Sequence, residues 1–76
     1  MDRAILLRHL AQTERHISEG AEYLARQQDL IDEMIRHKHD TRGAETVLAT
    51  MRETQSLHIE HWARILDELA NLSNED

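Results

Sequence analysis

The 76-residue sequence has no cysteine, no proline and no phenylalanine, and only two glycines. Without cysteine there can be no disulfide and no thiolate metal site. Without proline, and with Gly20 and Gly43 far apart, little interrupts a helix and no glycine-rich loop can cradle a phosphate. Basic residues are few, 9 against 15 acids for a net charge of −6. They are scattered along the chain as Arg3, Arg8, Arg15, Arg26, Arg36, Lys38, Arg42, Arg52 and Arg64. No basic stripe forms, which disfavours nucleic acid as a partner. An acidic surface also repels anionic lipid, and no apolar run approaches the ~18 residues of a membrane span. The opening segment holds four consecutive apolar residues, Ala4 to Leu7, and no small-residue cleavage site. It is not read as a signal peptide, and a cytoplasmic setting is expected.

What the chain does contain is abundant Ala, Leu, Glu, Arg and Gln, a helix-forming composition. Apolar residues make up 39% and recur regularly, which argues against disorder. A domain this short buries only ~60% of the surface its unfolded chain exposes. Such chains are usually completed by disulfides, a metal or self-association, and the first is excluded here.

The apolar period is seven. In the first half Leu10, Ile17, Leu24 and Ile31 form a heptad row, with Leu6, Ala21 and Ile35 expected on the same face. A second row, His9, His16, Tyr23, Leu30 and His37, runs beside Ile5, Gln27 and Met34. In the second half the rows are Ala44, Met51, His58, Ile65 and Leu72, and Leu48, Gln55, Trp62 and Leu69, widened by Val47 and Leu66. Glu22–Arg26, Asp32–Arg36 and Glu60–Arg64 stand four apart on the polar faces, in the favourable order for helical ion pairs.

The spacing predicts one domain over about 1–72: a helix over about 2–38, a turn over about 39–41 and a helix over about 42–71. A polar tail, 73–76, should fray. Arg36, His37 and Lys38 suit a helix C-terminus, and Asp40 or Thr41 suits the next N-cap. A connection this short makes the helices antiparallel neighbours. The fold class is therefore all-α, an antiparallel two-helix hairpin. The stripe on the first helix is wider than one neighbour needs, so two hairpins are expected to pair about a two-fold axis into a four-helix bundle. The expected core and dimer seam comprises Leu10, Ile17, Leu24, Ile31, Tyr23, Leu30, Met51, Trp62, Ile65 and Leu69. A monomeric hairpin with scattered exposed apolar residues is the plain alternative.

Six histidines are many for this length. His58 stands at the centre of the second helix's apolar face, and His61 is three residues on. A symmetrical turn near residue 40 would set Ala21 opposite His58 and Ser18 opposite His61, with His16 and Glu19 about one turn away. His16, His58, His61 and Glu19 then form a candidate zinc ligand set. The competing reading is a buried His58 hydrogen-bonded to a Gln, Glu or Tyr. The Glu-x-x-His pattern of di-metal bundles is absent, and no cofactor is implied. Gln27, Gln28 and Gln55 interrupt the seams and, with His58, are expected to form one polar layer that fixes register or lines a pocket. Gly20 is expected to make room for Trp62.

No Ser or Thr stands in a nucleophile setting. Adjacent carboxylates such as Asp32–Glu33 and Asp67–Glu68 point about 100° apart on a helix. The chain is not expected to be an enzyme. Leu10-Ala11-Gln12, Glu14-Arg15-His16, Ala25-Arg26-Gln27, His39-Asp40-Thr41 and Gln55-x-Leu57-His58 resemble strings in short uncharacterised helical proteins of proteobacteria. That resemblance covers most of the chain and implies a bacterial cytoplasmic setting but no activity. Three functions fit the residues. The first is a homodimeric structural or protein-interaction module, with itself and an unidentified protein as partners. The second is a metal- or ligand-responsive bundle using the histidines. The third is an acidic regulatory partner of a basic protein.

Overall fold

The computed structural model describes residues 2–74. Two helices, α1 (Arg3–Arg36) and α2 (Arg42–Asn74), pack antiparallel as a hairpin. The molecule is a rod of 60 × 14 × 13 Å. No described helix is long and apolar enough to cross a membrane.

Local chemistry accounts for each helix end. Asp2 caps α1, its carboxylate accepting from the Ala4 N–H at 3.4 Å. The end of α1 is a Schellman motif: the His39 N–H donates to the Met34 carbonyl at 2.9 Å and the Lys38 N–H to Ile35 at 3.1 Å. The residue this motif places in the left-handed region is Lys38, at φ 59°, where glycine is the usual occupant. The helix stops two residues short of the expected Lys38 because that reversal replaces its last turn. At the start of α2, Thr41 gives its carbonyl to the Glu45 N–H at 2.8 Å. Asp40 supplies the capping carboxylate, accepting from the Arg42 N–H at 3.1 Å and from the Arg42 guanidinium at 2.8 Å. Ser73 and Asn74, expected in the frayed tail, continue α2; Glu75 and Asp76 lie outside the described residues.

The seam on α1 steps alternately by three and four residues: Leu6, Leu10, Thr13, Ile17, Gly20, Leu24, Gln27, Ile31 and Met34, each buried or half-buried. On the other side it begins at Thr41, just before α2, and runs along α2 through Ala44, Leu48, Met51, Gln55, His58, Trp62, Ile65, Leu69 and Leu72. This is heptad packing of the a/d kind, complete on both helices. The heptad rows expected on α2, and the Leu10 row on α1, lie in this seam.

The second row on α1 differs. His16, Tyr23, Leu30 and His37 lie outside the seam and are exposed, Tyr23 by 53% and Leu30 by 47%. Ala21 and Ile35, expected with Leu6 on the packed face, are also exposed. The row that packs carries Thr13, Gly20 and Gln27, which are less apolar than the row beside it. Of the expected surface ion pairs, none forms: among the described residues the ion pair is Asp40–Arg42. Asp32 accepts instead from Gln28 at 3.1 Å, and the Arg26 guanidinium lies 5.8 Å from the centre of the Tyr23 ring.

Candidate functional site

Two glutamines set the register. The Gln27 amide donates to the Ala44 carbonyl at 2.9 Å, and the Gln55 amide donates to the Ile17 carbonyl at 2.8 Å. In each case a side chain of one helix bonds the main chain of the other. The pins lie at separate levels of the rod, and Gln28 bonds within its own helix, so the expected single polar layer does not exist. The capping turn carries the chain back beside α1 before α2 begins, so Gln27 already meets Ala44. Ala21 therefore does not face His58. His16, more than a turn earlier, takes that place.

At mid-rod the seam opens into a groove of about 250 Å³ lined by His16, Glu19, Tyr23, Thr54, Gln55 and His58, with Gly20, Thr50 and Met51. Gln55 explains Gly20. A Cβ at Gly20 would collide with the Gln55 side-chain carbonyl, so the glycine clears space for this amide and not for Trp62. Trp62 packs elsewhere, beside Ile17 and Ile59, with its indole N–H donating to Glu14 at 3.3 Å. The His16 and His58 rings meet across the helices, centroids 5.3 Å apart and inclined by 38°. His58 Nδ1 and Gln55 Oε1 are shielded from solvent without a hydrogen-bond partner. The expected hydrogen bond from His58 to Gln, Glu or Tyr is therefore not made at Nδ1. An unpaired buried polar atom costs about 1–3 kcal/mol, so such atoms mark places where a partner belongs.

No known protein family, curated protein or solved structure matches this chain.

Of the candidate zinc ligands, the structure brings His16, His58 and Glu19 to one groove and leaves His61 outside it. His61 and Ser18 are both exposed, and the facing that paired them shifts with the register. Among the described residues no three His, Asp or Glu side chains converge as an ion would require. Thr50 and Thr54 are lining residues that the heptad reading missed. Their signal was the Thr46, Thr50, Thr54 spacing. Each hydroxyl bonds back toward the N-terminus: Thr46 to Arg42 at 3.0 Å, Thr50 to Thr46 at 3.2 Å and Thr54 to Thr50 at 3.1 Å. With its hydroxyls occupied by its own helix, this side of α2 presents little polarity to the groove.

The groove opens on one flank of the seam. The residues along that flank are His9, His16, Tyr23, Leu30 and His37 on α1 and Val47, Thr54, His61 and Glu68 on α2. Its middle carries no lysine or arginine, and its acids are Asp40 and Glu68 at the two ends and Glu19 and Glu33 at the edges of the openings. A second opening near the turn, lined by Leu30, Glu33, Met34, His37 and His39, lies on the same flank. The other flank carries Leu7, Ile35, Ile59 and Leu66, but also Glu14, Glu45 and Arg52. The acid-rich residues Glu22, Asp29, Glu53, Glu60 and Asp67 are all exposed on the far faces of the helices. The Asp40 carboxyl is held below the usual range by its hydrogen bonds to the Arg42 side chain and N–H. That pair belongs to the turn and not to the groove.

Proposed function

We propose that the chain works as a homodimeric helical module, two hairpins pairing along the flank that carries Tyr23 and Leu30 into a four-helix bundle that scaffolds or regulates another protein. The observation that carries this reading is the exposed row through Tyr23 and Leu30. It follows the heptad period of the seam, yet α2 does not cover it.

Three features support a second copy as its occupant. The whole rod is 60 Å long and 14 Å wide, so one side of it is on the order of 800 Å², which is the share one partner contributes to a standard interface. The flank's heptad rows hold no formal charge from His9 to His37 on α1 and from Val47 to His61 on α2, so in a chain of net charge −6 the acids that meet there, Glu19, Glu33 and Glu68, stand at the margins. The seam alone fully buries only Leu6, Ile31, Leu48 and Ile65 among its apolar side chains, a small core for a domain. Covering the flank would add the apolar burial that the hairpin lacks.

Sedimentation equilibrium tests the reading. The wild-type chain is expected to be a dimer at micromolar concentration. Tyr23→Glu and Leu30→Glu each substitute an exposed side chain, so they should leave helicity intact and give monomers. Leu7→Glu, on the opposite flank, should remain dimeric. A wild-type monomer at high micromolar concentration, or a dimer broken by Leu7→Glu and not by the other two, would overturn the proposed assembly or its face.

A further inference from the structure

We infer that the His16–His58 pair is half of a transition-metal site, completed by the same pair of a second copy, so that one zinc-class ion sits on the two-fold axis of the dimer. This rests on the dimeric reading above and specifies where the axis runs.

The first argument is ligand chemistry. Two imidazoles bound to one tetrahedral ion at Zn–N distances of about 2.0–2.1 Å place their ring centres about 5 Å apart. The observed separation is 5.3 Å, between rings on different helices. His58 Nδ1 makes no hydrogen bond to protein, so none has to be broken for this ring to turn toward an ion. Contact between two rings is satisfied over a wider range, ~4.5–7 Å, so spacing alone does not decide the matter.

The second argument is donor count. One hairpin offers a histidine pair and no third converging ligand, whereas structural zinc takes four. Two hairpins related by a two-fold axis offer four imidazoles, a nitrogen set that suits zinc and copper.

The third argument is position. His16 and Gly20 lie near the middle of α1 (Arg3–Arg36), and Gln55 and His58 near the middle of α2 (Arg42–Asn74). When two rods run antiparallel and overlap along their whole length, their two-fold axis is perpendicular to them and passes through mid-length. The groove is there, and it opens on the flank that the dimer covers. Glu19 lines the same groove. His61 is outside the site and serves as an internal control.

The test uses the full chain without a histidine tag, stripped with chelator and titrated with zinc chloride by calorimetry, with mass followed by sedimentation. The expected result is one zinc per two chains. At free zinc about 100 times its dissociation constant, the dimer should tighten by about 100-fold. His16→Ala should abolish zinc binding; its side chain is exposed in the hairpin, so the fold should survive. His58→Ala should do the same, with helicity as the check on folding, and His61→Ala should bind as wild type. Absent zinc binding in a chain that dimerises in chelator would overturn the site and leave the dimer standing. One zinc per chain without a change in mass would overturn the shared site. A monomer with and without zinc would overturn both.

Discussion

The side-chain carbonyl of Gln55 occupies the space that a side chain at Gly20 would fill. The amide half of the same group donates to the Ile17 carbonyl, so one residue pair joins the helices and dictates a glycine in mid-helix. Glycine there costs about 1 kcal/mol relative to alanine. The close approach offsets that cost through the bond it permits.

Gly20→Ala should therefore destabilise the chain, reversing the usual sign. The expected net loss is at most about 2 kcal/mol, since overpacking and the displaced amide cost about 1–3 kcal/mol and the gain in helix propensity offsets about 1 kcal/mol of it. In a Gln55→Ala background the same substitution should instead stabilise, by up to about 1 kcal/mol. Urea unfolding of the four chains gives the coupling. Additive effects would show that Gln55 does not hold this position.

Gly43→Ala makes a useful contrast. Nothing lies within 4 Å of a Cβ built at Gly43, so helix propensity acts alone there. A gain of a few tenths to about 1 kcal/mol is expected. A loss would mean that the N-terminus of α2 is packed more closely than this space allows.

Lys38 occupies the left-handed position of the Schellman motif. For an L side chain that conformation costs about 1–2 kcal/mol relative to the right-handed helix, and glycine avoids it. Lys38→Gly should raise stability by about 0.5–1 kcal/mol, the remainder being lost to the greater freedom of glycine in the unfolded chain. A decrease in melting temperature would show that the lysine side chain has a stabilising role of its own.

The Asp40 carboxyl is held below its ordinary range by Arg42. The folded state thus binds this proton less readily than the unfolded chain does. Its contribution is complete above the unfolded carboxylate range, near pH 4 and higher, and is lost as pH falls through the lower folded value. Asp40→Asn should leave a smaller difference in melting temperature from wild type at acid pH than at pH 7. The pair is solvent-exposed, so the effect should be small and should shrink further in high salt. A difference that grows on acidification would reverse the assignment.

The hairpin was legible because the heptad period on α2 is strong: Leu48, Met51, Trp62, Ile65 and Leu69 name the buried face with little ambiguity. On α1 the second row through Tyr23 and Leu30 was expected to face water in a single hairpin, and it does; hydrophobicity did not show which residues complete the packed row. Tyr23 and Leu30 are more apolar than Gly20 and Gln27, yet Gly20 and Gln27 pack. Their reason for packing is contact with the other helix: a missing side chain that admits Gln55, and an amide that finds the Ala44 carbonyl. Neither is visible as periodicity. The register was missed for a related reason. A left-handed residue at Lys38 reverses the chain more tightly than a symmetrical turn, and the signal expected for that conformation is glycine. At the site, three of the four residues named as zinc ligands, His16, Glu19 and His58, line one groove. His61 was added because it is close in sequence, and the shifted register leaves it outside.

Gln27 and Gln55 each grip a peptide carbonyl and ignore the side chain attached to it. A latch of this kind is blind to residue identity at the position it holds. Ile17 and Ala44 could be exchanged for other residues of similar bulk without loosening the alignment of the rods, whereas shortening either glutamine by one methylene, to asparagine, should release it. Alignment thus depends on two reaching side chains, and the surfaces they bring together are left free to diverge.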